Sequence, residues 1–166
     1  MSDALTRFLA VCNGFVGFTE QGPNSGQVVD AFLKSVGLKP GQPWCAAFIS
    51  YCGARAFSIT GKSTWPVPMA GGCAFLGSWA AKKKVLYKTG QPGDLALFYY
   101  PKMKRFAHIG ALVAPVPGKP NTWITIEGNT SGGGSREGWM VRKFEERVID
   151  PAAGHRFIRW VNLLKE

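Results

Sequence analysis

Acidic residues are scarce in this chain. Asp and Glu number 10 against 20 Lys and Arg, which leaves a formal charge of +10 over 166 residues. A surface of that sign seeks a polyanion: nucleic acid, lipopolysaccharide or another anionic lipid surface, or an acidic cell-wall polymer. Histidine is rarer still, with His108 and His155 alone. Without paired histidines or a C-x-x-C spacing a zinc framework is excluded, and no metal or other cofactor is expected. No apolar run approaches the roughly 20 residues that span a bilayer, so no transmembrane segment is expected. Met1 to Arg7 lacks a basic start followed by an apolar core, so no secretory signal is expected. Synthesis in the cytoplasm is therefore expected, with action elsewhere only after release or delivery by other means. Helix-turn-helix, RNP-like and zinc-finger patterns are also missing, which leaves a basic nucleic-acid-binding domain with charge and aromatics as its only support. Gly61-Lys62-Ser63 has the ending of a phosphate-binding loop, but the upstream glycine of that motif is absent.

What is present is a substantial core. Hydrophobic residues make up 46% of the chain, including 11 Phe and 6 Trp, and the length fits one domain, taken as residues 1–166 and as a monomer. There are four cysteines: Cys12, Cys45, Cys52 and Cys73. Cys45 and Cys52 on one helix would stand about 10 Å apart, too far to bridge, and reduced thiols are expected.

The first half reads as helices. Leu5, Phe8 and Leu9 mark one over 4–12, capped by Ser2 or Asp3. Val28, Val29, Phe32, Leu33 and Val36 mark a second over 26–36, a third begins near Cys45 and reaches about Phe57, and a fourth covers 73–84. Residues 58–72 carry Gly and Pro without a period and are expected as loop. From residue 85 the period becomes two. Strands are expected at 85–88, 95–100, 106–114, 123–127, 139–149 and 156–163, with a Gly-rich loop over 128–138. Helices followed by a meander of strands predict an α+β domain with an antiparallel sheet of five to six strands.

The stretch that carries chemistry is Gly41-Gln42-Pro43-Trp44-Cys45-Ala46-Ala47-Phe48-Ile49. Proline suits a first helical turn, where its missing N–H has no partner to lose. Cys45 is thereby placed where unpaired N–H groups and the helix dipole favour a thiolate. The alternative is a small buried hydrophobe. His108 lies mid-strand beside Gly110, which leaves space next to it; it is either a base or a satisfied core histidine. On the following strand Trp123, Thr125, Glu127 and Asn129 share a face by alternation. Glu127 can accept the imidazole N–H and set its tautomer, and Asn129 can do the same or help an oxyanion. A two-carboxylate glycosidase built on Glu20 and Glu127 is a further possibility, but it leaves Cys45 and His108 without a role.

A helix-start Cys, a strand His and a neighbouring-strand Glu or Asn follow the order of papain-like thiol hydrolases. The chain resembles the cysteine- and histidine-dependent amidohydrolase/peptidase family, known as CHAP and related to the NlpC/P60 peptidases. The resemblance is carried by the Cys45 stretch, by Gly93-Asp94-Leu95-Ala96-Leu97-Phe98, by Ala107-His108-Ile109-Gly110 and by Thr125-Ile126-Glu127-Gly128-Asn129-Thr130. Glu20 through Gly26, followed by Val28-Val29, resembles the family's opening segment. The resemblance implies a papain-like fold and a peptidoglycan hydrolase that cuts the N-acetylmuramoyl-L-alanine amide or a peptide bond of the stem or cross-bridge. It implies Cys45 as nucleophile, His108 as base and Glu127 as its orienting partner, with Asn129 as rival or helper. Gln42, Trp44 and Trp65 are candidates for the substrate groove, plain core packing being the preferred reading for Trp44. Some members bind calcium through acidic residues ahead of the cysteine, but 35–45 holds no Asp or Glu here, so no metal is expected. No separate wall-binding domain is expected, and in that respect the chain resembles small basic phage lysins and delivered antibacterial effectors. A non-catalytic wall-binding or structural member of the fold keeps every motif and remains the alternative.

Overall fold

The structure, a computed structural model, describes residues 2–59, 61 and 64–164. Lys62 and Ser63 of the phosphate-loop-like triplet lie outside the described residues, as does Thr60 in the expected 58–72 loop. Among the described residues the chain forms four α-helices and one six-stranded sheet. The helices are α1 (Asp3–Gly14), α2 (Gln27–Ser35), α3 (Cys45–Ser58) and α4 (Cys73–Lys82). The strands are β1 (Leu86–Tyr87), β2 (Leu95–Tyr100), β3 (Arg105–Pro115), β4 (Thr122–Thr130), β5 (Met140–Val148) and β6 (Arg156–Ile158). The class is α+β, with helices packed on an antiparallel sheet in the order β1-β6-β2-β3-β4-β5. No helix among the described residues is long and apolar enough to cross a membrane.

Local chemistry explains most boundaries. Ser2 rather than Asp3 caps α1, its hydroxyl accepting from the Leu5 N–H, while Asp3 sits in the first turn, where a negative charge suits the dipole. Two endings differ from the sequence reading by three residues or more. β4 continues through Gly128, Asn129 and Thr130, because pairing with β5 outweighs the local turn preference of glycine. The chain after Ile158 leaves the sheet into a 3₁₀ turn over Trp160–Leu163, pinned when the Trp160 indole donates to the Gly93 carbonyl.

Alternation along β2 divides the interior in two. Leu95 and Leu97 join the helix-facing core with Ile109, Ala111 and Ile126. Ala96 and Phe98 join a second cluster with Leu112, Ile149 and Phe157 on the opposite face. In the helical layer Phe32 is a hub, in ring contact with Phe15, Phe18, Trp44, Phe48 and Tyr51. Trp44 is wholly buried there, its Nε1 donating to Glu20 at 3.1 Å. Burial of one such ring contributes about 4–6 kcal/mol, so the start of α3 is held firmly against α2.

Asp94 immediately precedes β2 and is 2% exposed; Arg159 donates to its carboxylate at 3.0 Å, and the Gln91 N–H donates at 2.9 Å. Burial pushes its carboxyl pKa up, against the Arg159 hydrogen bonds and charge and the Gln91 N–H. Asp94→Ala leaves a guanidinium buried without its counter-ion and should cost about 3–5 kcal/mol in urea unfolding. Replacing both partners with apolar residues should cost much less; equal losses would show that the pair is not coupled.

Candidate functional site

Cys45 is the first residue of α3, and Trp44 holds that position by being buried. Phe48, one turn further on, packs so tightly on β4 that a Cβ at Gly128 would lie 2.8 Å from its ring. This close approach brings the α3 N-terminus to the strands that carry His108 and Glu127. His108 and Glu127 belong to neighbouring strands, where Glu127 pairs with Gly110. A Cβ on Gly110 would stand 2.6 Å from Glu127 Cγ. The space that Gly110 leaves beside His108 is thus filled by the Glu127 side chain.

The result is a buried pair. His108 Nε2 and Glu127 Oε2 are 2.7 Å apart, with both side chains at 0% exposure. The carboxylate is satisfied on all sides. Thr125 Oγ1 donates to Oε1 at 2.8 Å and Arg147 Nε donates to Oε1 at 2.9 Å. Burial raises the Glu127 pKa, but the His108 hydrogen bond and charge, Arg147 and Thr125 outweigh it and hold the group below the usual carboxylate range. A carboxylate on Nε2 makes that atom the proton-bearing nitrogen and leaves Nδ1 as the ring's other hydrogen-bonding position. Nδ1 is buried and completes no hydrogen bond among the described residues. Cys45 is nevertheless close enough to act on the ring. Burial depresses His108, but interaction with Cys45 and Glu127 prevails and lifts it to about 9. These interactions favour the charged form of His108, while its Nδ1 closes no hydrogen bond to a described residue.

Cys73 completes the environment of Cys45. It is the first residue of α4, as Cys45 is of α3, and the two sulfurs lie 3.8 Å apart. The Cys73 thiol lowers the Cys45 pKa most, ahead of His108 and the Ala46 N–H, and together they overcome burial and hold Cys45 well below the ordinary thiol value. Cys73 is pushed well up by the same contact and by burial, so it is the partner that keeps its proton and donates. All four cysteines are free. Cys52 moves the opposite way from Cys45, raised by burial and by Cys12, which marks it as an inert core thiol.

Several sequence candidates are placed differently. Asn129 does not share the face of Glu127. A bulge between Glu127 and Thr130 gives Asn129 a φ of 53° and breaks the alternation. Its Oδ1 accepts weakly from the Gly138 N–H at 3.5 Å, while Glu127 makes the bond to His108. Trp44 is in the core, not in a groove. Trp65 also packs inward, stacked on Phe8 and tilted against Trp160. Gln42 does line the cleft at Cys45, a space of about 310 Å³ shared with Pro43, Gly72, Cys73, Arg105 and Arg136. Glu20 is engaged by Trp44 and Glu127 by three donors, so the two-carboxylate arrangement is not present. His155 stands outside the site, its Nδ1 accepting from the Tyr99 N–H. Sequence reading missed Arg147, whose guanidinium lies 4.4 Å over Phe98, and the role of Cys73. A glycine pair followed by a helix-start cysteine was the available signal for Cys73; Arg147 had none among so many basic residues. Among the described residues no cluster of three or more His, Cys, Asp or Glu is arranged to hold a metal ion.

Two predictions follow from the geometry. Gly110→Ala should push Glu127 off His108 at a stability cost of about 1–3 kcal/mol, and Cys45 alkylation by iodoacetamide should lose its low-pH reactivity; unchanged reactivity would mean that Glu127 does not set the state of His108. Cys73→Ala should shift the pH midpoint of that alkylation upward, and Cys73→Ser, which keeps a donor, should restore most of it. A midpoint that ignores both variants would remove Cys73 from the account.

No family model, curated protein or solved structure matches the chain, so the functional reading rests on the site itself.

Proposed function

We propose that the chain is a papain-like cysteine hydrolase of the CHAP type that cleaves an amide bond of peptidoglycan. One observation carries the reading: the wholly buried His108 ring has Nε2 fixed 2.7 Å from the Glu127 carboxylate, and its interaction with the helix-start Cys45 draws that thiol's pKa down. A structural histidine does not require a dedicated carboxylate, an arginine and a threonine arranged around it.

The reaction follows from these positions. The Cys45 thiolate adds to the amide carbonyl, and the charge passes to the carbonyl oxygen. The Cys45 N–H at the start of α3 stabilises that oxyanion, and Gln42, exposed on the same cleft, supplies a second donor. The His108 imidazolium gives its proton to the departing amine as the C–N bond breaks, leaving a thioester on Cys45. His108, now neutral, takes a proton from water; the hydroxide displaces the thiolate, and the acid is released. Glu127 keeps the ring oriented and stabilises its charged form throughout.

Peptidoglycan is favoured as the substrate by the resemblance of the motifs and by the +10 charge, which suits anionic wall polymers or lipopolysaccharide. The amidase and endopeptidase readings share this chemistry. A protein released or delivered to the wall, in the manner of a lysin or antibacterial effector, is the setting that fits.

Purified peptidoglycan should clear with the wild type, and Cys45→Ala should be slower by roughly 10³-fold or more. Mass spectrometry of the soluble fragments then names the bond. Clearing by both proteins would remove Cys45 as nucleophile, and clearing by neither would favour the non-catalytic reading. The rate should follow a bell in pH. It rises as Cys45 ionises, below the ordinary thiol range, and falls as His108 loses its proton near 9. The alkaline limb should vanish in His108→Ala; a limb that persists there belongs to another group.

A further inference from the structure

The cleft at Cys45 has a charge pattern that thiol hydrolysis does not require. Arg105, at the start of β3, and Arg136, in the loop between β4 and β5, both line it. No acidic residue is among its lining residues. The Arg105 guanidinium is exposed and makes no ion pair or hydrogen bond to a described residue. Arg136 is paired through Nη1 with its chain neighbour Glu137, whose side chain is 66% exposed and therefore well screened. Its Nε is buried and has no partner among the described residues. Both charges reach the site, since each acts on the Cys73 thiol against its upward shift. The first turns of α3 and α4 also open here, with no side-chain cap on either among the described residues.

We infer that Arg105 and Arg136 form an anion subsite beside Cys45, which selects substrates that carry a free carboxylate next to the scissile amide. A guanidinium holds a carboxylate through two parallel N–H donors, and an unpaired one beside a nucleophile positions an anionic substrate without added reorganisation. Gln42 and the apolar wall of Leu38 and Pro43 leave the remaining faces of the cleft neutral. The inference rests on the proposal that Cys45 is the nucleophile, and it narrows the substrate to an acidic peptide.

Alkylation separates the two claims. Iodoacetate and iodoacetamide react by the same displacement of iodide and differ in one carboxylate. Their rates at Cys45 are followed by mass spectrometry of the peptide that contains it, and their ratio cancels changes in thiolate fraction or folding. In wild type the iodoacetate-to-iodoacetamide ratio should exceed that of β-mercaptoethanol by about tenfold or more. It should fall toward the free-thiol value in Arg105→Gln and Arg136→Gln, furthest in the double variant, and also with added salt. A wild-type ratio equal to that of the free thiol, or one untouched by both substitutions, overturns the subsite.

A matched pair of acyl peptides, with the flanking carboxylate free or amidated, supplies the second arm. Preference for the free acid in kcat/KM, lost in the double variant, supports both claims. An iodoacetate bias without hydrolysis of either peptide keeps the subsite and removes the hydrolase reading. Equal hydrolysis without an iodoacetate bias does the reverse, and a Cys45 inert to both reagents overturns both.

Discussion

A carboxylate buried at 0% exposure between two strands is the constraint on which the site depends. Glu127 would be costly there without partners, because desolvation of a charge outweighs most of what packing returns. Its partners therefore come from three strands: His108 on β3, Thr125 on its own strand and Arg147 on β5. Arg147 in turn donates to the Gly134 carbonyl and lies over Phe98, tying the β4–β5 loop to the sheet. The same set of contacts orients the imidazole and holds the loop that carries Arg136. Site geometry and local stability are in this way one interaction network rather than two.

Position separates the four cysteines. Cys12 and Cys52 share the helical core, and burial together with the neighbouring Cys12 raises Cys52. Cys45 and Cys73 are equally buried, at 4% and 5% exposure, yet their thiols move in opposite directions. The asymmetry comes from His108, which acts directly on Cys45. Once the imidazolium selects one sulfur as the anion, its neighbour becomes the donor. Two thiols at two helix starts are thus driven in opposite directions, Cys45 down and Cys73 up.

Two close approaches decide how the layers meet. At Gly128 the ring of Phe48 sits where a side chain would be, so α3 lies directly on β4. At Gly110 the Glu127 side chain occupies the corresponding space on the other face. Either position with a Cβ would separate a pair of groups that must touch. Small residues act here by what they admit, and the effect is transmitted to Cys45 through α3 and to His108 through Glu127.

The sequence by itself determined the element order, the α+β class and the placement of Cys45, because helical and alternating periods are local and a proline-led helix start is written in adjacent residues. It also put His108, Gly110 and Glu127 within reach of one another, since strand alternation is a local rule. Where the rule is broken by long-range pairing, the reading failed. The bulge that turns Asn129 away from Glu127 arises from the register of β4 against β5, and the extension of β4 past Gly128 has the same origin. Core packing was the preferred reading for Trp44 and is where it lies, but Trp65 was legible only as an aromatic, because its packing depends on Phe8 and Trp160 from distant segments. Only the tertiary structure decided that Cys73 meets Cys45 and that Arg147 reaches Glu127, across 28 and 20 residues of chain. Contacts of that kind depend on how layers pack, and no local period encodes them.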